Sequence, residues 1–337
     1  TPFSLPSGAL LTMNANGTFD YDPNDQYESL DAGQTATDSF TYTIDDGQGQ
    51  ANSTDTATVT VTVDGVNDAP QLNLDANNSG GISPDFAAVF DASLAAAVTI
   101  ADVDLDVADV DNTNLASATV SITNRQDGNS EVLAATPSGS IAAGDISFNA
   151  SSGILTISPS GGATLADFQQ VLRSVTYDNT AAAPGTGDRI VTFVVNDGLL
   201  DSAARTSSVA LLPPLTVDLD GSTVGTGFTV GFVEDAAAPG SGPIPIADTD
   251  VSIVTPHNLV RATITLANPQ DGPAEGLAVN LPGLPAGISL DGASTATNLI
   301  LTSGGSSAAD FQTALRRVTY DNISEDPNTT GRDVNVI

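Results

Sequence analysis

Aspartate carries most of the chemistry that this sequence can do. Asp102, Asp104, Asp106, Asp109 and Asp111 fall within DVDLDVADVD at 102–111, and Asp64, Asn67 and Asp68 lie in DGVNDAP at 64–70. IADTD at 246–250 repeats IADVD at 100–104 and supplies Asp248 and Asp250. Carboxylates at i and i+2 of an extended segment project to one side, roughly 7 Å apart, and both can reach one ion when a turn or linker adds further oxygens. Calcium takes about six to eight oxygens, so no single motif suffices and a linker must combine with an Asp-x-Asp from the adjoining domain.

Composition narrows the choice by exclusion. The 337 residues include eight Lys+Arg against 41 Asp+Glu, a formal charge of −33 with the single histidine neutral. All eight cations are arginine, and five acids are glutamate, which leaves 41 − 5 = 36 aspartates. Nucleic-acid binding needs basic side chains against phosphate, and an anionic membrane repels such a surface. The absence of cysteine removes disulfides and thiolate sites, and the absence of lysine removes any Lys-Asn isopeptide cross-link. One histidine makes a conventional zinc site or a Ser-His-Asp triad very hard to build. The plentiful groups are oxygens, the ligands of a hard cation. The 40% hydrophobic content is enough for folded cores. Apolar stretches such as LAAAVTIA at 94–101 are too short to span a membrane, and TPFSLPSG lacks the basic and apolar regions of a signal peptide.

The elements that must position these aspartates repeat. VDLDGS at 217–222 echoes LNLDAN at 72–77, NPQDG at 268–272 echoes NRQDG at 124–128, and SAADFQTALRRVTYDN at 307–322 echoes TLADFQQVLRSVTYDN at 164–179. The offsets stay between 143 and 146, an order and spacing that chance does not preserve. The chain reads as the C-terminal part of one module (1–69), a complete module (70–213) and a second copy (214–337) that stops inside a strand, an excerpt of a longer tandem array. Aspartates recur at equivalent places: 75 with 220, 102 with 248, 104 with 250, 127 with 271, and 178 with 321, the last pair as turn formers.

Period-two alternation dominates. Phe40, Tyr42 and Ile44 share one face, Ala57, Val59, Val61 and Val63 another, and Ala118, Val120 and Ile122 match Ala262, Ile264 and Leu266. With Gly, Asn and Asp turns between them, these strands predict an all-β architecture of tandem Ig-like antiparallel sandwiches. Each larger module adds one short helix: Leu165, Phe168, Leu172 and Val175 have helical spacing, with Thr164 and Asp167, or Ser307 and Asp310 in the copy, as a capping box.

DGVNDAP resembles the DxNDNxP linker of cadherins, with one extra residue after Asp64 and Ala69 in place of the second Asn, which removes one ligand. FVEDAA at 232–237 resembles the early glutamate of a cadherin repeat, placing Glu234 in that role and Asp91 in its counterpart. IADTD and IADVD resemble the cadherin DxD motif. NGTFDYDPN at 16–24, TDSFTYTIDDGQGQA at 37–51 and the NDAP ending are similar to bacterial VCBS-type and cadherin-like repeats. DFQQVLRSVTYDN with VVNDG resembles chondroitin-sulfate-proteoglycan repeats. The resemblance implies Ca2+ as cofactor and a calcium-stiffened stalk of a large RTX-type surface adhesin, exported by type I secretion. It also implies partners among neighbouring repeats, homotypic copies or surface glycans, in a cell-surface filament or biofilm.

The run at 102–111 lacks the glycine and terminal glutamate of an EF-hand loop; a solvated acidic loop is its plainer reading. At 213–214 two prolines stand where the first linker has Asn67 and Asp68, so less calcium is expected at that junction. A carbohydrate-binding module is the alternative function. It is disfavoured by the absence of tryptophan and by 5% aromatics, with Phe40 and Tyr42 read as core. Catalysis is not expected, because no nucleophile or metal motif stands out and His257 has no counterpart in the first copy.

Overall fold

The computed structural model describes residues 1–51, 53–94, 96–233 and 242–337. It divides into two compact units, Thr1–Phe90 with Ala95–Leu211, and Asp91–Leu94 with Leu212–Ile337. Antiparallel strands make up nearly all the regular structure. Among the described residues the α-helices are α1, Leu165–Arg173, and α2, Ala308–Leu315.

Unit 1 begins with a three-stranded meander, Phe3–Ser4, Leu10–Met13 and Phe19–Asp22, and a hairpin of Thr35–Asp45 with Thr54–Asp64. Leu5, Ala9, Leu11 and Phe40 form the core between them, and Phe19 meets the Phe40 ring edge-on at 5.1 Å. Alternation predicts Tyr42 and Ile44 beside Phe40 in this core, but they are 44% and 62% exposed. The reason is length. Eleven-residue strands reach about 36 Å, whereas four-residue strands cover about 13 Å of them.

The rest of unit 1 is a sandwich. Its larger sheet runs Ile146–Asn149, Ile154–Ile157, Ser117–Ile122, Arg189–Asn196, Arg205–Leu212 and Phe86–Asp91. The smaller runs Glu131–Ala134, Thr176–Asn179 and Val98–Thr99. Ala118, Val120 and Ile122 face inward with Val191, Phe193 and Val209, and Phe90 of one sheet meets Tyr177 of the other edge-on at 5.4 Å. Removing these apolar surfaces from water is the main driving force for closing the two layers.

Unit 2 repeats this plan. Ile288–Leu290, Asn298–Ser306, Leu259–Leu266 and Val334–Val336 form one sheet; Ile244–Pro245, Val318–Asn322 and Glu275–Val279 form the other. Ala262, Ile264 and Leu266 are buried, as their periodicity requires, and Phe232 meets Tyr320 as Phe90 meets Tyr177.

The helices bury Phe168, Val171 and Leu172 in α1 and Phe311, Ala314 and Leu315 in α2. The capping box is complete only in α2, where Ser307 Oγ accepts the Asp310 N–H and Asp310 accepts the Ser307 N–H, both at 3.2 Å. In α1 the Thr164 hydroxyl caps Asp167 N–H at 3.1 Å, but the Asp167 carboxylate turns to the Ser140 hydroxyl at 2.7 Å. Ser307→Ala is therefore expected to cost about 1 kcal/mol of unit 2 stability, read as a melting point lower by a few degrees.

Candidate metal centres

The acidic run 102–111 does not form one site; a short strand divides it. Asp106–Ala108 pairs with Gln71–Asn73, with Leu72 opposite Val107 and both buried. The three extended residues Asp106–Ala108 alone cover about 10 Å between the two halves of the run. Asp102 and Asp104 lie on one side of that strand, Asp109 and Asp111 on the other.

On the first side Asp75 joins Asp102 and Asp104, and one carboxylate oxygen from each lies within 4.8 Å of the others. Residues 102–104 form a turn here rather than an extended segment, which brings the oxygens closer than the 7 Å expected of a strand. Asp75 is fully buried, accepting from the Ser79 N–H at 2.9 Å and the Gly80 N–H at 2.8 Å. Asp104 accepts the N–H groups of Ala76 and Asn77 at 3.2 and 2.7 Å. The Ser79 hydroxyl donates to Asp102 at 2.9 Å, and that bond is the main cause holding the Asp102 carboxyl below its ordinary range. The Ser79 hydroxyl steadies the ionised form of Asp102, and three carboxylate oxygens converging on one point favour a cation among them.

Unit 2 builds the same triad from Asp220, Asp248 and Asp250, again within 4.8 Å of one another. The Ser222 hydroxyl, at 3.0 Å, and then Thr223 hold Asp220 below the usual carboxylate range. The Gly221 N–H donates to Asp250 at 3.2 Å, and the Thr249 hydroxyl to Asp248 at 3.1 Å. Glu234 lies outside the described residues. Asp91 joins neither triad: it ends the strand Phe86–Asp91 and accepts the Ser93 hydroxyl at 2.6 Å, the first cause of its lowered pKa. Asp75 is the ligand candidate that motif matching misses. Its signal is the repetition of LNLD as VDLD, which places Asp75 and Asp220 in register.

On the other side the linker meets Asp109 and Asp111. The Asp68 N–H donates to Asp111 at 2.9 Å, and Asn67 accepts from the Asn112 amide at 3.1 Å while donating to Asp197 at 2.9 Å. Burial pushes the Asp109 carboxyl up to about 6, and its contact with Asp111 adds to the rise. Burial also acts against ionised Asp111, but bonds from Asp109, the Asp68 amide and Asn112 outweigh it and keep Asp111 low. Asp109 Oδ2 is buried with no hydrogen-bond partner. An all-oxygen set containing an orphaned carboxylate oxygen fits a hard cation.

Asp64 and Asp106 stand apart. Asp64 is an exposed strand end opposite Thr35, and Asp106 accepts from Gln169 of α1 at 2.7 Å. Gly65 fixes the start of the linker: a Cβ there would lie 2.4 Å from the carbonyl oxygens of both Leu30 and Asp31.

A second duplicated constellation is buried and structural. Arg189 pairs with Asp127 at 2.5 Å and with Glu131, whose carboxylate also accepts the Tyr177 hydroxyl at 3.1 Å. Asn179 donates to Asp127 at 2.8 Å. In unit 2 Arg332 pairs with Asp271 and Glu275, both at 2.6 Å, while Tyr320 donates to Glu275 at 2.8 Å and Asn322 to Asp271 at 2.7 Å. Asp178 and Asp321 lie within the strands Thr176–Asn179 and Val318–Asn322 rather than at turns. The TYDN strand is thus marked by its Tyr and Asn, which tie it to the Gln-Asp-Gly turn and to the arginine of the next strand.

A family model described as the bacterial cadherin-like domain matches residues 2–65. No curated protein matches the chain. Among solved structures, the chain is similar to mouse cadherin-23 EC22-24 at 12% identity and a TM-score of 0.33, covering 88% of this chain and 72% of that one. It is similar to protocadherin gammaB7 EC3-6, described as a cis-dimer, at 14% identity and a TM-score of 0.28, covering 91% of this chain and 60% of the other. Domains 4–9 of the surface layer protein SbsC match at 13% identity and a TM-score of 0.21, over 90% of this chain and 42% of theirs. No helix among the described residues is long and apolar enough to cross a membrane.

Proposed function

We propose that this chain is a non-enzymatic, extracellular run of cadherin-like repeats stiffened by calcium. It would serve as the stalk of a bacterial surface adhesin or filament. The observation that carries this reading is the duplicated triad, Asp75, Asp102 and Asp104 in one copy and Asp220, Asp248 and Asp250 in the other. Three carboxylates converge twice at register positions of a repeated fold, which a merely solubilising coat would not require. Calcium, when bound, supplies two positive charges and a flexible oxygen-rich coordination shell. In unit 1 a second ion would be held by Asn67, Asp68, Asp109, Asp111 and Asp197, joining the linker to the sandwich that follows it.

The composition supports the same reading. With 41 acids against eight arginines, self-repulsion opposes compactness until cations bind. Export by type I secretion, a VCBS-type or proteoglycan-like ancestry of the repeats, and adhesion to copies of itself or to surface glycans belong to this proposal.

Counting bound metal in the purified chain, together with thermal melts in calcium and in chelator, tests it. Several calcium ions per chain and a higher melting point with calcium are expected. A metal-free chain whose melt is identical in chelator would overturn the reading.

A further inference from the structure

The turn between Leu10–Met13 and Phe19–Asp22 carries the one Asn-Gly pair of the chain, Asn16–Gly17. The Gly17 N–H donates to the Asn14 carbonyl at 3.0 Å, and the Asn14 N–H donates to the Thr18 carbonyl at 2.9 Å. Asn16, Gly17 and Thr18 are all exposed. The Asn16 side chain is nevertheless held: its Oδ1 accepts the Thr18 N–H at 3.1 Å and the Thr18 hydroxyl at 2.7 Å. That hydroxyl in turn accepts from the Asn14 side-chain amide at 3.0 Å, which polarises it further.

These bonds activate the Asn16 amide carbon in two ways. The bond from the Thr18 N–H to Oδ1 closes a ring that contains both Cγ of Asn16 and the nitrogen of Gly17, which keeps an electrophile beside a nucleophile. Both donors also point at the oxygen on which negative charge gathers when Cγ is attacked. Glycine supplies the remaining condition. Gly17 has a φ of +86°, a Cβ there would meet nothing within 4 Å, and no side chain of its own crowds the nitrogen. Asn149 provides a control within the same chain. It is exposed, and its Oδ1 accepts the Ser151 N–H at 3.0 Å, the Ser151 hydroxyl at 2.7 Å and the Ser152 N–H at 3.3 Å, but the residue that follows it is Ala150.

We propose that Asn16 is a self-modification site, at which the folded turn promotes deamidation to aspartate and isoaspartate. A solvent base removes the Gly17 amide proton, and the nitrogen forms a bond to Asn16 Cγ. The bond from Cγ to the side-chain nitrogen breaks, ammonia leaves with a proton taken from solvent, and a succinimide remains. Water then opens the ring at either carbonyl and leaves one new carboxylate. Attack comes through the face of the planar Gly17 amide, so its in-plane bond to Asn14 does not block the path. The isoaspartate branch adds a methylene to the main chain beside the Met13 and Phe19 pair, which loosens the meander.

Incubating the full 337-residue chain in mildly alkaline buffer made with heavy-oxygen water, then mapping peptides and labelling them with an isoaspartyl methyltransferase, tests it. Heavy oxygen should enter residue 16 about tenfold faster than residue 149, and about tenfold faster again for each pH unit gained. Thr18→Val keeps the N–H donor, loses the hydroxyl, and should slow the reaction at residue 16 about fivefold. The native chain should outpace the urea-unfolded chain at residue 16. The proposal is overturned if residues 16 and 149 react at equal rates, if Thr18→Val leaves the rate unchanged, or if unfolding in urea speeds the reaction at residue 16.

Discussion

Replacing Arg189 with alanine should lower the stability of unit 1 by about 3 to 5 kcal/mol, because it takes the close cation from Asp127 and leaves Glu131 with Arg125 alone, at 3.9 Å. Glu131 is wholly buried and cannot turn to water. The triple variant Asp127→Asn, Glu131→Gln, Arg189→Met removes the three closest charges at similar volume, leaving only the partly exposed Arg125, and should lie much closer to the parent, as buried ion networks do when replaced together. Urea unfolding of both variants separates the cost of an orphaned charge from the net worth of the network; equal losses would show that packing alone matters. Acid provides a second reading. Burial pushes Asp127 and Glu275 up, yet bonds from Asn179 and the Gly185 amide with Arg189, and from the Asp271 amide with Arg332, hold both carboxyls below their ordinary values. Their contribution is therefore fully present above the unfolded value of about 4 and is lost as pH falls through the lower folded values. Acid unfolding of the parent should begin below about pH 4.

Asp75→Asn should abolish the calcium-dependent stabilisation contributed by the first triad and leave the second untouched. At a hundredfold over the dissociation constant that increment is about 2.7 kcal/mol. The amide keeps the shape and can still accept one of the bonds from Ser79 and Gly80, so the metal-free protein should fold. Calorimetry in calcium would then show the unit 1 transition moved down relative to the parent, with the unit 2 transition, which depends on Asp220, Asp248 and Asp250, in place. A variant that gains as much from calcium as the parent would remove the triad from the list of sites.

Local patterns were legible where one contact shell decides them. The alternation of Ala118, Val120 and Ile122 reports a buried face because a full second sheet lies over it, and the spacing of Phe168 and Leu172 reports a helix because both seat in one core. The same alternation misleads at Tyr42 and Ile44, where the covering sheet is too short. Asp102 and Asp106 look alike along the chain, but one enters a turn beside Asp75 and the other a strand facing α1. The Arg189 network joins residues 58 and 62 positions apart, and only the repeated NxQDG, TYDN and TGDR/TGRD blocks hint at it. Pairings at that range are set by topology, which local periodicity does not encode.

The long hairpin of Thr35–Asp45 and Thr54–Asp64 has a colloidal consequence. Among the described residues it is a two-stranded sheet whose outer edges are both open, and its threonine and valine content is that of a segment prone to stack with copies of itself. Asp45 on one strand and Asp55 and Asp64 on the other place exposed carboxylates at the ribbon's ends, whereas Asp38 is taken up by the hydroxyls of Ser7 and Tyr21 at 2.5 and 3.0 Å. Some of the aspartate excess thus acts as a set of gatekeepers, keeping an adhesive-looking ribbon from precipitating at neutral pH.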